Sequence, residues 1–287
     1  MSQARQASTN ELLGYPGDAR LLLVNADDFG MYQSINEAVV QSFKAGIVCS
    51  TSLMAPLPGT AHAIQLAQEN PEVRLGVHLS VIRDIGHYYW EPLAPREQIP
   101  SLLDEDGYFY TIERMLVMLE RTRLDEAEIE FRAQIETVLA AGLKPTHVDW
   151  HCLHSGGRSD IFDLTMGLAK EYGLALRVAS HPFIEQVQSQ GLPTDDYDLL
   201  DSFSVDIDTK SAHYAHLLRD LPEGLSEWAV HPSFGSAESQ EIDPGGWRVR
   251  RTDFDFVGSP EARAIIDREG IVLVSYEQLQ TAWQNRA

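Results

Sequence analysis

The chain is short of cysteine, of basic side chains and of long apolar runs, and each shortage excludes something. Two cysteines, Cys49 and Cys152, cannot build a disulfide framework, and they suit the reducing cytoplasm, the compartment expected for this protein. Twenty-two Lys plus Arg stand against 43 Asp plus Glu, a formal net charge of −21. A surface that acidic repels phosphate backbones and anionic lipid, so neither nucleic acid nor a membrane is an expected partner. No apolar run approaches the ~20 residues of a membrane span. Residues 1–20 are polar, without the apolar core of a secretion signal, and are expected to be a flexible N-terminal segment ahead of a single domain over 21–287. Hydrophobic residues at 44% and charged residues at 23% are ordinary globular usage. A length of 287 residues suits one α/β domain, since such barrels commonly reach ~250 residues.

What is present begins with a recurring piece of punctuation. Ala45-Gly46-Ile47, Ala141-Gly142-Leu143, Tyr172-Gly173-Leu174 and Glu269-Gly270-Ile271 each follow a helix-like stretch and lead into a β-leaning run. Glycine just past a helix end takes the left-handed conformation that stops the helix. Helix starts agree: Ser34-Ile35-Asn36-Glu37 reads as a capping box, Asp125 can cap the next long helix, and Ser259-Pro260 opens another. Candidate strands are Leu21–Asn25, Ile47–Leu53, Leu75–Ser80, Thr146–His151, Leu174–Val178, Trp228–His231 and Ile271–Ser275. Strands interleaved with helices predict an α/β fold of about seven parallel strands, either a barrel or a doubly wound sheet. Residues 82–110 and 181–226 break the rhythm and read as loop elaborations of the one domain.

In α/β folds, ligands bind at the carboxyl ends of parallel strands. Those ends here carry Asp27-Asp28, His78, the run His147-Val148-Asp149-Trp150-His151, and His231-Pro232. Alternation puts His147, Asp149 and His151 on one face of their strand, which is either a solvent-facing edge or an arrangement costly to bury unless something such as a divalent metal binds it. Paired acids like Asp27 and Asp28 either cap a turn or share a cation that splits them into ligand and base. His78 is either a structural histidine or the ligand of a second strand. Pro232 holds His231 extended at its strand tip, for a structural or a catalytic role. Cys152 should point away from His151 on a continuing strand and serve packing. The aromatic stretch from His87 to Trp90 reads as a sugar platform or as a loop anchor, and Arg177, Arg250 and Arg251 as substrate contacts or ion-pair partners.

The string Asn25-Ala26-Asp27-Asp28-Phe29-Gly30 is specific. Together with Gly76-Val77-His78-Leu79, the run Lys144 to His151, and Val230-His231-Pro232, it resembles the YdjC/ChbG-like carbohydrate deacetylases. The likeness runs in motif order from about Leu21 to Leu279. It implies a TIM-barrel-like fold and metal-dependent removal of acetyl groups from a small N-acetylated sugar or oligosaccharide. It also implies one divalent ion, zinc or magnesium, held by Asp28, His78 and His151, with Asp27 as general base and His231 as acid. Asp149 and His147 would lie behind the ligands, Asp149 orienting a ligand histidine by an outer hydrogen bond. One departure follows His151, where the chain reads Cys152-Leu153-His154 in place of further alternating histidines. A homodimer is compatible with all of this. The competing functions are a catalytically idle sugar- or metal-binding protein and a phosphoesterase on the same scaffold, though no glycine-rich phosphate loop is present.

Overall fold

The computed structural model describes residues 7–286. Leu21, Leu22, Leu23 and Val24 are all 0% exposed, as a parallel strand covered on both faces requires. They lie in β1 (Arg20–Phe29), the spine of the sheet. The other strands are β2 (Ser50–Leu53), β3 (Leu75–Leu79), β4 (Ile82–Arg83), β5 (Tyr110–Thr111), β6 (His147–Trp150), β7 (Ala175–Leu176), β8 (Leu200–Asp201), β9 (Gly224–Val230) and β10 (Val272–Leu273). The main path runs β7-β6-β3-β2-β1-β9-β8, with every pairing parallel, while β10 pairs with the start of β1 and β4 pairs apart with β5. The sheet curls until its edges approach: Leu199 N–H, just before β8, donates to Ala179 C=O, just beyond β7, at 2.9 Å. The fold is the expected α/β, TIM-barrel-like one, closed at that seam by a bond and not by a ladder. The strand β8 was not expected, because its two residues, Leu200 and Asp201, carry no period-2 signal.

Among the described residues twelve α-helices wrap the sheet: α1 (Thr9–Leu13), α2 (Gln33–Ala45), α3 (Thr60–Glu69), α4 (Met115–Arg121), α5 (Leu124–Ala140), α6 (Ser159–Tyr172), α7 (Phe183–Gln188), α8 (Lys210–Arg219), α9 (Ala237–Ile242), α10 (Trp247–Val257), α11 (Pro260–Glu269) and α12 (Tyr276–Gln284). Three of the glycine stops are left-handed, Gly142, Gly173 and Gly270. Gly46 is not, with φ −112 and ψ −157. Its reason is space, since a Cβ there would stand 2.5 Å from Val257 O and 2.7 Å from Ser42 O. Ser259 caps α11 as expected, accepting from Ala262 N–H. Ser34 does not cap α2, because that helix starts two residues earlier than a Ser34 cap would place it, at Gln33 behind Tyr32. The Ser34 hydroxyl instead meets Ser233 Oγ at 3.1 Å. Asp125 sits inside the first turn of α5 and pairs with Arg123, the actual cap position.

Part of the segment expected to be flexible is tied down. Ser8 caps α1 through a reciprocal capping box with Glu11, and Thr9 and Asn10 are buried. The Asn10 amide donates to the carbonyls of Pro16, Gly17 and Ala19, which folds the entry to β1 around one side chain. Residues 1–6 lie outside the described residues. The first elaboration, 82–110, is pinned to α5 by two carboxylates. Glu130 accepts from Leu93 and Ala94 N–H, and Glu126 from Ser101 N–H. No helix among the described residues is long and apolar enough to cross a membrane.

Candidate metal centre and active site

Regular strand geometry would point Asp27 and Asp28 to opposite faces. Between Ala26 and Phe29 the register of β1 against β2 shifts, so that β1 carries one extra residue, and Asp28 takes a left-handed φ of 68°. A bulge of this kind turns neighbouring side chains to the same side. Asp27 and Asp28 accordingly both line one cavity of about 500 Å³ at the carboxyl ends of the strands. They sit within β1 itself, whereas the sequence suggested a turn after it.

Asp28 is the centre of the arrangement. Its Oδ1 lies 3.1 Å from His151 Nδ1 and 3.4 Å from His78 Nε2, and one donor atom from each of the three residues falls within 4.8 Å of the others. The second oxygen, Oδ2, accepts from Arg250 Nη1 at 2.7 Å, and Arg250 Nε donates to Asp243 at 3.0 Å. Burial alone would raise the Asp28 carboxyl, but Arg250 and the two imidazoles hold it well below the usual carboxylate range. His78 gives its Nδ1 to Asp149 Oδ1 at 2.8 Å, which leaves Nε2 facing Asp28. Burial opposes charge on His78, yet the adjacent Asp149 carboxylate outweighs it and raises the imidazole to about 9.

Asp27 belongs to a different set of contacts. Arg177 clamps it with two bonds, Nη1 to Oδ2 and Nη2 to Oδ1, each 2.8 Å, and Asn25 donates to Oδ1 at 2.7 Å. The same guanidinium reaches Asp149 Oδ2 at 2.8 Å and Glu227 Oε1 at 2.7 Å. Burial pushes the Asp27 carboxyl up, but Arg177 and then His78 pull it below its ordinary value, so it is ionised at neutral pH. Two of the three arginines that the sequence left between substrate contact and ion pairing, Arg177 and Arg250, are therefore ion-paired within the site. Arg251 lies away from it, paired with Asp255.

A cation fits these residues. Among the described residues, Asp27, Asp28, Asp149 and Glu227, each 5% exposed or less, share two buried arginines, Arg177 and Arg250, and Arg250 is shared further with Asp243. The cluster is short of positive charge, and its two imidazoles and one carboxylate are a donor set suited to divalent ions.

The remaining expected residues divide. His231 lines the same cavity, its Nδ1 2.8 Å from Ser202 Oγ and its ring edge-on to Phe203 at 4.6 Å. Asp149 Oδ1 lies 2.8 Å from Nδ1 of His78, not of His151 on its own strand. His147 stands one layer deeper: its ring stacks on Tyr276 at 3.6 Å, and its Nε2 is 3.8 Å from Asp149 Oδ2. Gly76 makes room for that ring, since a Cβ there would come within 2.4 Å of it. Cys152 corrects the sequence reading. The strand ends at Trp150, Cys152 turns with φ 58°, and its Sγ comes to 3.3 Å from His151 Nε2 at the cavity wall. Of the aromatic stretch, Trp90 is buried and Tyr88 donates to Met31 C=O, so these rings anchor the loop. The exposed His154 lines the cavity. Asp84, Asp243 and Ser202 were not foreseen, because each sits in a loop or a two-residue strand without periodicity. Asn25 could have been found from its place beside the acid pair.

The chain is similar to several known proteins over most of its length. The carbohydrate deacetylase of Thermoanaerobacter pseudethanolicus is 32% identical over 91% of this chain and 100% of its own length. The chitooligosaccharide deacetylase of Yersinia enterocolitica is 29% identical over 90% of this chain and 98% of its own. A crystal structure of a candidate cellobiose-phosphate cleavage protein from Enterococcus faecalis V583 superposes with a TM-score of 0.77 at 28% identity, covering 91% of this chain and 99% of that one. Residues 21–268 match the profile of the YdjC-like proteins, and the chain belongs to that family.

Proposed function

We propose that the protein is a metal-dependent hydrolase that removes acetyl groups from N-acetylated sugars. The observation that carries this reading is the convergence of Asp28, His78 and His151 in one cavity with an independently held Asp27 beside them. Relatives bearing the names carbohydrate and chitooligosaccharide deacetylase support it. Asp28, His78 and His151 would hold the ion, zinc by donor preference. When bound, it supplies Lewis acidity toward an amide carbonyl and lowers the pKa of water.

The chain's own residues supply the rest. Asp27, kept ionised by Arg177, accepts a proton from the attacking water. Arg177 and Asn25 fix the orientation of that carboxylate, so little reorganisation is needed when the proton arrives. An amine leaves poorly unless protonated, and His231 is the residue that gives it the proton. Ser202 occupies His231 Nδ1, which makes Nε2 the nitrogen that would carry it. Ile85, Ile112, Leu199 and Phe203 in the cavity wall exclude water and offer apolar surface to a sugar face. Arg177 and Arg250 are engaged by buried carboxylates, which favours an uncharged sugar over a phosphorylated one. Acetate release from a panel of N-acetyl sugars, with and without a chelator, tests this. Release that stops with chelator and returns with zinc is expected. Phosphate release from sugar phosphates without acetate release would replace the reading with the phosphoesterase one.

A further inference from the structure

His151 is approached from both sides. Its Nδ1 lies 3.1 Å from Asp28 Oδ1, and its Nε2 lies 3.1 Å from Asp84 Oδ1, an ion-pair contact not aligned as a hydrogen bond, and 3.3 Å from Cys152 Sγ. Two metal-capable clusters therefore share one ring, Asp28 with His78 on one side and Asp84 with Cys152 on the other. A neutral imidazole has one lone pair and one N–H, so it can ligate on one side only and must donate on the other. An ion on the Cys152 side would leave Asp28 and the Nε2 of His78 without a cation, and the buried carboxylates around them short of positive charge. An ion on the Asp28 side leaves His151 Nε2–H to donate, and a carboxylate is the stronger of the two acceptors in reach.

We propose that Asp84 is a positioning residue of the metal centre: its carboxylate holds the Nε2–H of His151 and thereby turns the Nδ1 lone pair toward Asp28. This rests on the reading of Asp28, His78 and His151 as the ligands. Asp149 does the same for His78 from the opposite nitrogen, holding Nδ1 so that Nε2 faces Asp28. The two ligand histidines thus coordinate through different nitrogens, each chosen by a carboxylate behind it. The two anchors come from different parts of the fold. Asp149 stands on β6 beneath the site, whereas Asp84 follows β4 in the elaboration that Glu130 ties to α5. The loop over 82–110 is in this way part of the metal site and not only a cover for it.

Zinc titration of the metal-free protein by calorimetry tests the proposal without using activity. The wild type should take one equivalent. Asp84→Ala should still take one equivalent but bind it ~10- to 100-fold more weakly, the usual cost of losing such an anchor. Asp84→Asn, whose amide oxygen can accept from the same N–H, should recover part of that loss. Equal affinity in all three proteins overturns the proposal. The cobalt-loaded protein provides a second measurement that needs no variant of Asp84. A thiolate-to-cobalt charge-transfer band that disappears in Cys152→Ser would put the ion on the other side of the ring and overturn the proposal; absence of the band supports it. Failure of the underlying reading looks different: the wild type would take up no zinc, or His151→Ala would still bind a full equivalent.

Discussion

Asp27 and Asp28 are adjacent in the chain, line the same cavity and are both buried, yet they live in separate electrostatic neighbourhoods. The Asp28 half contains His78, His151 and Arg250, with one carboxylate oxygen turned to the imidazoles and the other to the guanidinium. The Asp27 half contains Arg177, Asn25 and, through the arginine, Asp149 and Glu227, and both of its oxygens are held by protein donors. One half leaves an open position for a cation; the other is closed by a cation the protein supplies itself. Two neighbouring carboxylates can take different roles because the bulge in β1 gives each a separate arginine.

The largest effect that would sharpen this contrast is on stability. Arg177→Met leaves Asp27, Asp149 and Glu227 buried without their shared partner and should cost about 3–5 kcal/mol by denaturant unfolding, the usual penalty for breaking a buried ion pair. Arg250→Met should be damaging in the metal-free protein as well, but saturating zinc should restore much of its stability, since the ion takes over the neutralisation of Asp28. Equal response of the two variants to zinc would erase the distinction between the halves. Next comes Asp27→Asn, expected to keep stoichiometric zinc while acetate release falls by ~100-fold or more; a fully active variant would move the base elsewhere. The smallest effect is a difference of differences. His231→Ala should slow release from amides ~10-fold more than from activated esters, whose leaving groups need no proton, and identical losses on both substrates would remove His231 as the acid.

Much of the architecture could be read from local pattern. The apolar run Leu21 to Val24, the glycine after α6 and α11, and Pro260 behind Ser259 each have a cause within a few residues, and each element formed at its expected place, with β1 running on to Phe29. The exceptions also have local explanations visible only in space. Gly46 answers to a carbonyl of Val257, more than two hundred residues away, and Ser34 to Ser233. In the candidate site, the donors Asp28, His78 and His151 were legible because their side chains alternate or stand at strand tips. Of the residues around them Asp149 was legible too, but Asp84 sits in an aperiodic loop, Arg177 reads equally as a surface cation, and Cys152 was misplaced because the strand stops at Trp150.

The sequence by itself determined which chemistry is available, a set of carboxylates and imidazoles at the carboxyl ends of parallel strands, because strand period and helix stops are set by neighbours in the chain. Only the tertiary structure decided which nitrogen of each histidine faces Asp28 and which arginine holds which aspartate. Those choices depend on contacts between residues as far apart as Asp28 and Arg250, and hydrogen-bond reach of about 3 Å is a property of the packed fold that no spacing along the chain encodes.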